Sequence, residues 1–502
     1  MSNSKYLIGT RGSLLAVTQC TLLKDEIESK TNASFDLRKI KTEGDQKTEK
    51  PLWQLDGKDF FTKELDAALL KDEVDLVVHS YKDLGSERPE GLKLAAVGKR
   101  RFAHDILLIK KETISKIKDM CDFIVGTSSP RRITNIEHSL KNYLPLASDN
   151  LKVSCKMLRG NVNTRIQKLA DGDYDAIVLA LAGLERLANK EDSAQILEGL
   201  LKDLTFLVLP QKTFPSSASQ GALAVEVHDK SPKLNEIQSV LNSIHCDETV
   251  QAVQRERKAF VGYGGGCHLA VGIHVKKHKD LFIHVHRGEH RDKRIDKLEI
   301  EGHPLNEVKG KKAFFVLGSL DKLVKQEPIK ANIPEGHNLF VTSQYCIDSL
   351  NDVTFASLWA SGSRTHQKLA KKGHWVNGSA DGFGHEEVGE LKESKAVQMM
   401  LPSQQWAVLS HTEAISSVGK VIGCYQRSVS EDVDMDLSDV EVFYWGSYFQ
   451  YCEYLKRFPQ IESKLHACGL GKTYDSFKAN GIKVLPVADM KSFKELVETK
   501  EI

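Results

Sequence analysis

Short runs of Val, Ile and Leu alternate with amphipathic stretches along most of the chain. YLIGT, DLVVHS, HDILLI, DFIVGTSS and YDAIVLALAG each lead into a loop or a helix-like pattern, a rhythm that predicts α/β domains. In open α/β sheets the ligand crevice lies outside the C-terminal ends of the strands. Chemistry is therefore expected in the polar residues that close each run. From about 223 to 305 the pattern changes to ALAVEVH, a long helix near 248–261, then LFIHVHR and KLEIEG, which predicts a small α+β unit. HPLNEVKGKK, at 303–312, is polar and contains Pro304 and Gly310, as a linker would. The α/β rhythm then restarts with AFFVLGSL, NLFVTSQ, FASLWASG, QWAVLSHT, KVIGCYQ and VEVFYWGS.

At 502 residues the chain exceeds one ordinary core, and about three to five domains are expected. The 70 basic and 68 acidic residues leave a net charge of +2, too balanced for a chain that wraps nucleic acid. Any basic site must be local. The nine cysteines contain no CxxC pair, which argues against zinc ribbons and disulfide scaffolds. No apolar stretch approaches the roughly 18 residues a membrane span needs, and the start has no leader pattern. A cytoplasmic protein without membrane or nucleic-acid partners is expected, working as a monomer.

The local basic site is legible at the strand ends. Arg11 follows a strand, Lys82 and Asp83 end another in HSYKD, and Arg131 and Arg132 follow the strand and turn of DFIVGTSSP. Arg159 and Arg165 lie in LRGNVNTR, where Asn161 or Asn163 suits a helix cap, and Arg186 closes ALAGLER. Thr127, Ser128 and Ser129 suit the cap of the helix carrying Arg131 and Arg132. Guanidinium forks at successive strand ends predict a polyanionic ligand; the bland alternative is a set of solvated surface arginines. Phosphate is the weaker choice, because GLGKT at 469–473 has His466 where a P-loop needs its first glycine. Asp83 is the one acid of its turn, suited to stabilising a cation or moving protons, with a plain Lys82–Asp83 turn pair as the alternative. Cys267 ends GYGGGC after a helix carrying Arg255, Glu256 and Arg257, an accessible thiol near cations. No Cys-His-Asn arrangement surrounds it. In HVHRGEH, His284 and His286 share a strand face expected to meet solvent with His290 nearby, so no metal is expected.

GTRGSLLAVTQ, GKDFFTKELDAALL, DLVVHSYKDL, GTSSPRR, LRGNVNTR, YDAIVLALAGLERL, SQGALAVE and GGGC together resemble hydroxymethylbilane synthase, or porphobilinogen deaminase, across about residues 5–300. The resemblance implies two domains like type II periplasmic binding proteins, at 1–100 with 200–222 and at 101–199, and a small α+β domain at 223–305. It also implies a dipyrromethane cofactor bonded through a thioether to Cys267, and head-to-tail condensation of four porphobilinogens with loss of ammonia. Asp83 matches the catalytic aspartate. Lys82, Ser128, Arg131, Arg132 and Arg159 match cofactor contacts, while Arg11, Ser13, Lys58, Phe61, Arg165 and Arg186 match substrate contacts; Gln220 and Arg257 fall in matching segments. Departures include Glu43 where arginine is usual, Asp59 where glycine is common, and GGGC for EGGC.

After a linker at 306–311, residues 312–502 resemble uroporphyrinogen-III synthase, a module of two α/β subdomains. LFVTS, WASGSRTHQKLAKKG, KVIGCYQ, VFYWGSYFQY and HACGLGKTYDSFKANGI carry that likeness. It implies closure of the linear product, hydroxymethylbilane, with inversion of the last ring, and assigns Tyr425 to departure of the hydroxyl group. Thr342, Ser343, Thr365, Ser447 and Thr473 would donate hydrogen bonds to substrate carboxylates, unless they are ordinary helix caps. Two alternatives stand: a degenerate C-terminal docking domain behind an active deaminase, or a binding module for an anionic ligand.

Overall fold

The computed structural model describes residues 5–42, 62–266, 268–317, 321–431 and 433–500. The chain divides into two units, one of Met1–Val275, Val285–Asp296 and Glu393–Met400, the other of Lys276–His284, Lys297–Lys392 and Leu401–Ile502.

The first unit holds two five-stranded sheets of one plan. In the first, Ser34–Ile40, Lys5–Arg11 and Leu76–Ser80 run parallel, and Leu223–His228 enters antiparallel between Leu76–Ser80 and Leu92–Val97. In the second, Lys152–Lys156, Asp122–Gly126 and Ala176–Ala180 run parallel, and Asp105–Lys110 lies antiparallel between Ala176–Ala180 and Leu204–Val208. Central strands covered on both faces need unbroken apolar runs, and Ile106 to Ile109 are fully buried.

This topology moves two expected boundaries. Leu204–Val208, assigned from sequence to the first domain, pairs in the second sheet, and Leu223–His228, assigned to the third, pairs in the first. The helix Leu234–Leu241 goes with it, burying Ile237 and Leu241 against Ile8, Leu23 and Val225. A linear pattern reveals a strand but not its ladder partner, so crossovers between sheets are invisible until pairing is known.

The expected long helix is Asp247–Gly262, whose Phe260 and Tyr263 just beyond it pack on Leu269, Val271 and Ile273. Val271–His278, Leu281–His290 and Lys293–Ile300 form a three-stranded sheet. His286 does not face solvent as expected: it is buried, with Nδ1 3.1 Å from the Tyr263 hydroxyl, while His284 Nε2 lies 3.1 Å from Glu301 Oε2.

The second unit has a five-stranded parallel sheet ordered Leu485–Val487, Leu465–Gly469, Val442–Trp445, Lys312–Val316, Glu498–Thr499. Its six-stranded sheet is ordered Val324–Pro328, Lys420–Val429, Trp406–His411, Asn338–Val341, Ser357–Ala360, Gly378–Ser379, with the first strand antiparallel. The expected linker at 306–311 is part of the fold: Leu305–Val308 makes a 3-10 turn and Val308 is buried with Phe315 and Val442. One apolar residue in a polar run is enough to pin it. No described helix is long and apolar enough to cross a membrane.

Candidate active site

The site is organised by an acid that sequence reasoning passed over. Asp105 opens a strand and is only 1% exposed. Arg131 and Arg132 occupy the first turn of the helix Pro130–Ser139. Arg131 Nη1 donates to Asp105 Oδ2 at 2.6 Å and to Pro215 O at 2.9 Å. Arg132 grips the same carboxylate in a fork, Nε to Oδ2 at 3.1 Å and Nη2 to Oδ1 at 2.7 Å, and gives Nη1 to Val178 O at 3.0 Å. Gln220 Nε2 adds a bond to Asp105 Oδ1 at 2.9 Å, and its Oε1 accepts from Lys82 Nζ at 3.2 Å. Burial alone would raise the Asp105 pKa, but the two guanidiniums and their hydrogen bonds outweigh it and hold the carboxyl well below its usual range. The signal was present in sequence, as an acid starting the run DILLIK.

Cations around this network outnumber their carboxylates. Burial pushes the Lys82 ammonium down to about 8 against the pull of Asp83, and Arg132 adds to the fall. Burial, then the charges of Arg132 and Arg159, push Arg165 down to about 10; its Nε donates to Gly160 O at 2.8 Å. Arg186 is also lowered to about 10 by burial, with Asp83 opposing, and gives Nη2 to Gly221 O at 2.9 Å. Burial lowers Arg159, whose Nε is buried without a hydrogen-bond partner. Desolvated cations with unspent donors are costly unless an anion joins them.

Asp83 ends the 3-10 turn Tyr81–Asp83 at the tip of Leu76–Ser80 and is exposed. Arg257 fixes that turn from the long helix: Nη1 donates to Leu84 O at 3.1 Å, Nη2 to Gly85 O at 2.6 Å, and the guanidinium lies 4.7 Å from the Tyr81 ring centre. Ser128 Oγ donates to Leu158 O at 2.8 Å and accepts from Leu158 N at 3.1 Å, joining the loop before Arg131 to the loop before Arg159. Asn161 caps the helix Val162–Ala170, accepting from Thr164 N at 2.9 Å. Ser129 is the N-cap residue before Pro130 but makes no side-chain cap bond, contrary to expectation; Thr127 Oγ1 instead accepts from Ser129 N at 3.3 Å. Ser13 caps the helix Leu14–Lys30, and Arg11 ends its strand two residues earlier. Lys58, Phe61 and Cys267 lie outside the described residues, as do Glu43 and Asp59.

A second buried network sits on the first sheet, where His79 and Glu226 lie on neighbouring strands. Asp66, His79 and Glu226 offer ligand atoms within 4.8 Å of one another, but Arg88 fills the space between the carboxylates, donating to Asp66 at 2.6 Å and to both Glu226 oxygens at 2.8 Å.

In the second unit, Tyr425 lies on Lys420–Val429 beside Tyr345 and His411, with ring centres 5.4 and 6.0 Å away. Burial pushes its phenol up to about 12, with a hydrogen bond to Ser343 opposing. Thr342 Oγ1 is 2.9 Å from both Leu409 O and Ser410 Oγ. Ser343 caps the 3-10 turn Gln344–Cys346, and Ser447 caps the helix Tyr448–Arg457. Thr365 pairs with Ser361 at 3.2 Å, and Thr473 donates to Gly446 O at 3.1 Å. Thr342, Ser343 and Tyr425 thus gather at the ends of the six-stranded sheet, while Ser447 and Thr473 gather on the other.

Residues 6–236 match the family model described as porphobilinogen deaminase, dipyromethane cofactor binding domain. A porphobilinogen deaminase of Lachnospira eligens is 35% identical over 319 residues, covering 62% of this chain and 99% of that protein. The chain belongs to the porphobilinogen deaminase family. A second deaminase, from Maridesulfovibrio salexigens, is 37% identical over 269 residues, 53% of this chain and 79% of its own length. The deaminase region therefore carries the porphobilinogen deaminase activity of tetrapyrrole biosynthesis and the family's dipyrromethane-binding domain, and the C-terminal region stays unassigned by these matches. Among solved structures, a probable amino-acid-binding protein of a Bacillus subtilis transporter is 13% identical over 52% of this chain and 99% of its own, at a TM-score of 0.28. At that score it adds nothing to the sheets already described.

Proposed function

We propose that the deaminase region condenses four porphobilinogens with Asp83 as the catalytic carboxylate, and that the C-terminal module closes the linear product to uroporphyrinogen III. The observation that carries the first part is the surplus of desolvated cations around one organising acid. The buried, unpartnered Arg159 Nε and the half-buried Lys82, Arg165 and Arg186 suit a cofactor that brings four carboxylates of its own. Lys82, Ser128, Arg131, Arg132 and Arg159 would hold it, with Cys267 as tether. When bound, dipyrromethane supplies the free pyrrole carbon from which the product is built. Arg11, Ser13, Lys58, Phe61, Arg165 and Arg186 are assigned to the incoming substrate, the arginines gripping acetate and propionate groups in forks. Asp83, the exposed acid of a turn that Arg257 fixes, offsets the positive charge that builds on a pyrrole nitrogen as ammonia leaves.

Asp83→Asn is expected to fold normally and to lose about 10²–10⁴-fold in turnover; near-normal rates would remove Asp83 from the chemistry. Intact mass tests the tether, since the active protein should carry an added dipyrromethane that Cys267→Ser abolishes. For the C-terminal module, what supports the reading is the grouping of Tyr425 with Thr342 and Ser343 at one set of strand ends. Porphobilinogen alone should then yield the type III macrocycle. Formation of the type I isomer alone, which arises without a second enzyme, would leave the deaminase and sink the synthase.

A further inference from the structure

The segment Glu393–Met400 lies between two stretches of the second unit, yet it belongs to the first. Its short helix Lys395–Gln398 packs on the helix Leu181–Ala188 of the deaminase. The contact is dry: Ser394, Ala396 and Val397 are fully buried, as is Leu184, and Glu185 is 5% exposed. A buried carboxylate must find donors. Glu185 Oε2 accepts from Ser394 Oγ at 2.6 Å and from Ala396 N at 3.2 Å, and Oε1 accepts from Asn189 Nδ2 at 2.9 Å. Two of its three donors thus come from the inserted segment.

The next residue on that helix is Arg186, held to Gly221 O. The helix also meets Leu14–Lys30 of the first sheet's domain, where Leu15 lies against Gly183, and Glu191–Leu201 of the second's. It therefore stands at the junction of the two α/β domains with a site residue on it. We propose that residues 393–400 are an intramolecular clamp that fixes this helix, making Glu185, Ser394 and Ala396 positioning residues for Arg186 and coupling the C-terminal part of the chain to substrate capture by the deaminase. The inference rests on the assignment of Arg186 to substrate carboxylates.

The test uses the full chain and the deaminase assay. Ala396→Glu sets a second carboxylate against Glu185 and should raise KM for porphobilinogen about threefold to tenfold with kcat nearly constant. Amide hydrogen exchange within 181–188 should rise with it. Ser394→Ala, the milder change, should move KM in the same direction, and Ser394→Thr should restore it; this pair keeps the test open if Ala396→Glu folds poorly. Arg186→Ala is measured alongside. If it leaves KM unchanged, the substrate role of Arg186 is wrong and the clamp falls with it. If it raises KM while Ser394→Ala and Ala396→Glu do not, the clamp alone is overturned.

Discussion

Asp105 shows how one buried acid decides the behaviour of its neighbours. Removing its charge strands two buried guanidiniums, so Asp105→Asn should destabilise the deaminase unit by about 3–5 kcal/mol, read as a lower denaturation midpoint. Because its folded pKa lies far below the unfolded value, the Asp105 contribution is fully present above the unfolded pKa of about 4 and is lost as pH falls below it. Lys82 moves the other way. Its folded pKa of about 8 lies below the unfolded value of about 10.4, so the charged form costs stability below pH 8 and that cost fades between pH 8 and pH 10.4. Its hold on the cofactor carboxylates has the opposite slope: that grip should weaken as pH rises through about 8, and Lys82→Met should flatten that limb of the turnover profile. An alkaline limb unchanged in Lys82→Met would remove Lys82 from the grip. The cations of this site stood out in sequence because guanidiniums recur at successive strand ends, more order than scattered surface arginines keep. Their counter-ion did not, since a buried acid at the head of an apolar run looks like any strand start until its partners are seen.

At the scale of elements, the turn bearing Asp83 owes its shape to a helix about 170 residues away. Arg257→Met keeps length but loses three hydrogen bonds, including the long one to Tyr81 O at 3.5 Å, and should lower kcat about tenfold to a hundredfold through misplacement of Asp83. Unchanged kcat would show that the turn holds itself. Sequence placed Arg257 on the right helix and could not aim it, because the direction of a side chain depends on which element packs against it. Gly221 is a similar case: φ is +90° and a Cβ would sit 2.7 Å from Arg101 O, so Gly221→Ala should disturb the acceptor of Arg186 as well as its own turn. In the second unit, pairing of Trp406–His411 with Lys420–Val429 skips Cys424, matching Gly423 to Ser410 and Tyr425 to His411. That bulge lets both Cys424 and Tyr425 point inward. Strict alternation would have put one of them on the opposite face of the sheet.

The alternation of strands and helices was enough to read α/β architecture, while two threads escaped it: the exchange of strands around 204–228 and the return of Glu393–Met400 to the first unit. Both depend on contacts between residues far apart in sequence, which periodicity does not record. The strand exchange bears on how the protein is made. Every strand of the second sheet lies between residues 105 and 208, but the first sheet waits for Leu223–His228 to fill the gap beside Leu76–Ser80. Ribosomes add about 5–20 residues per second, so for roughly ten seconds the earlier-made strands stand open at an interior edge while the later-made domain can close. Birth order and closing order are reversed. A nascent chain whose emerged part ends near residue 210 should therefore resist protease across 105–208 and be cut within 5–97, the stretch that a holding chaperone would have to cover.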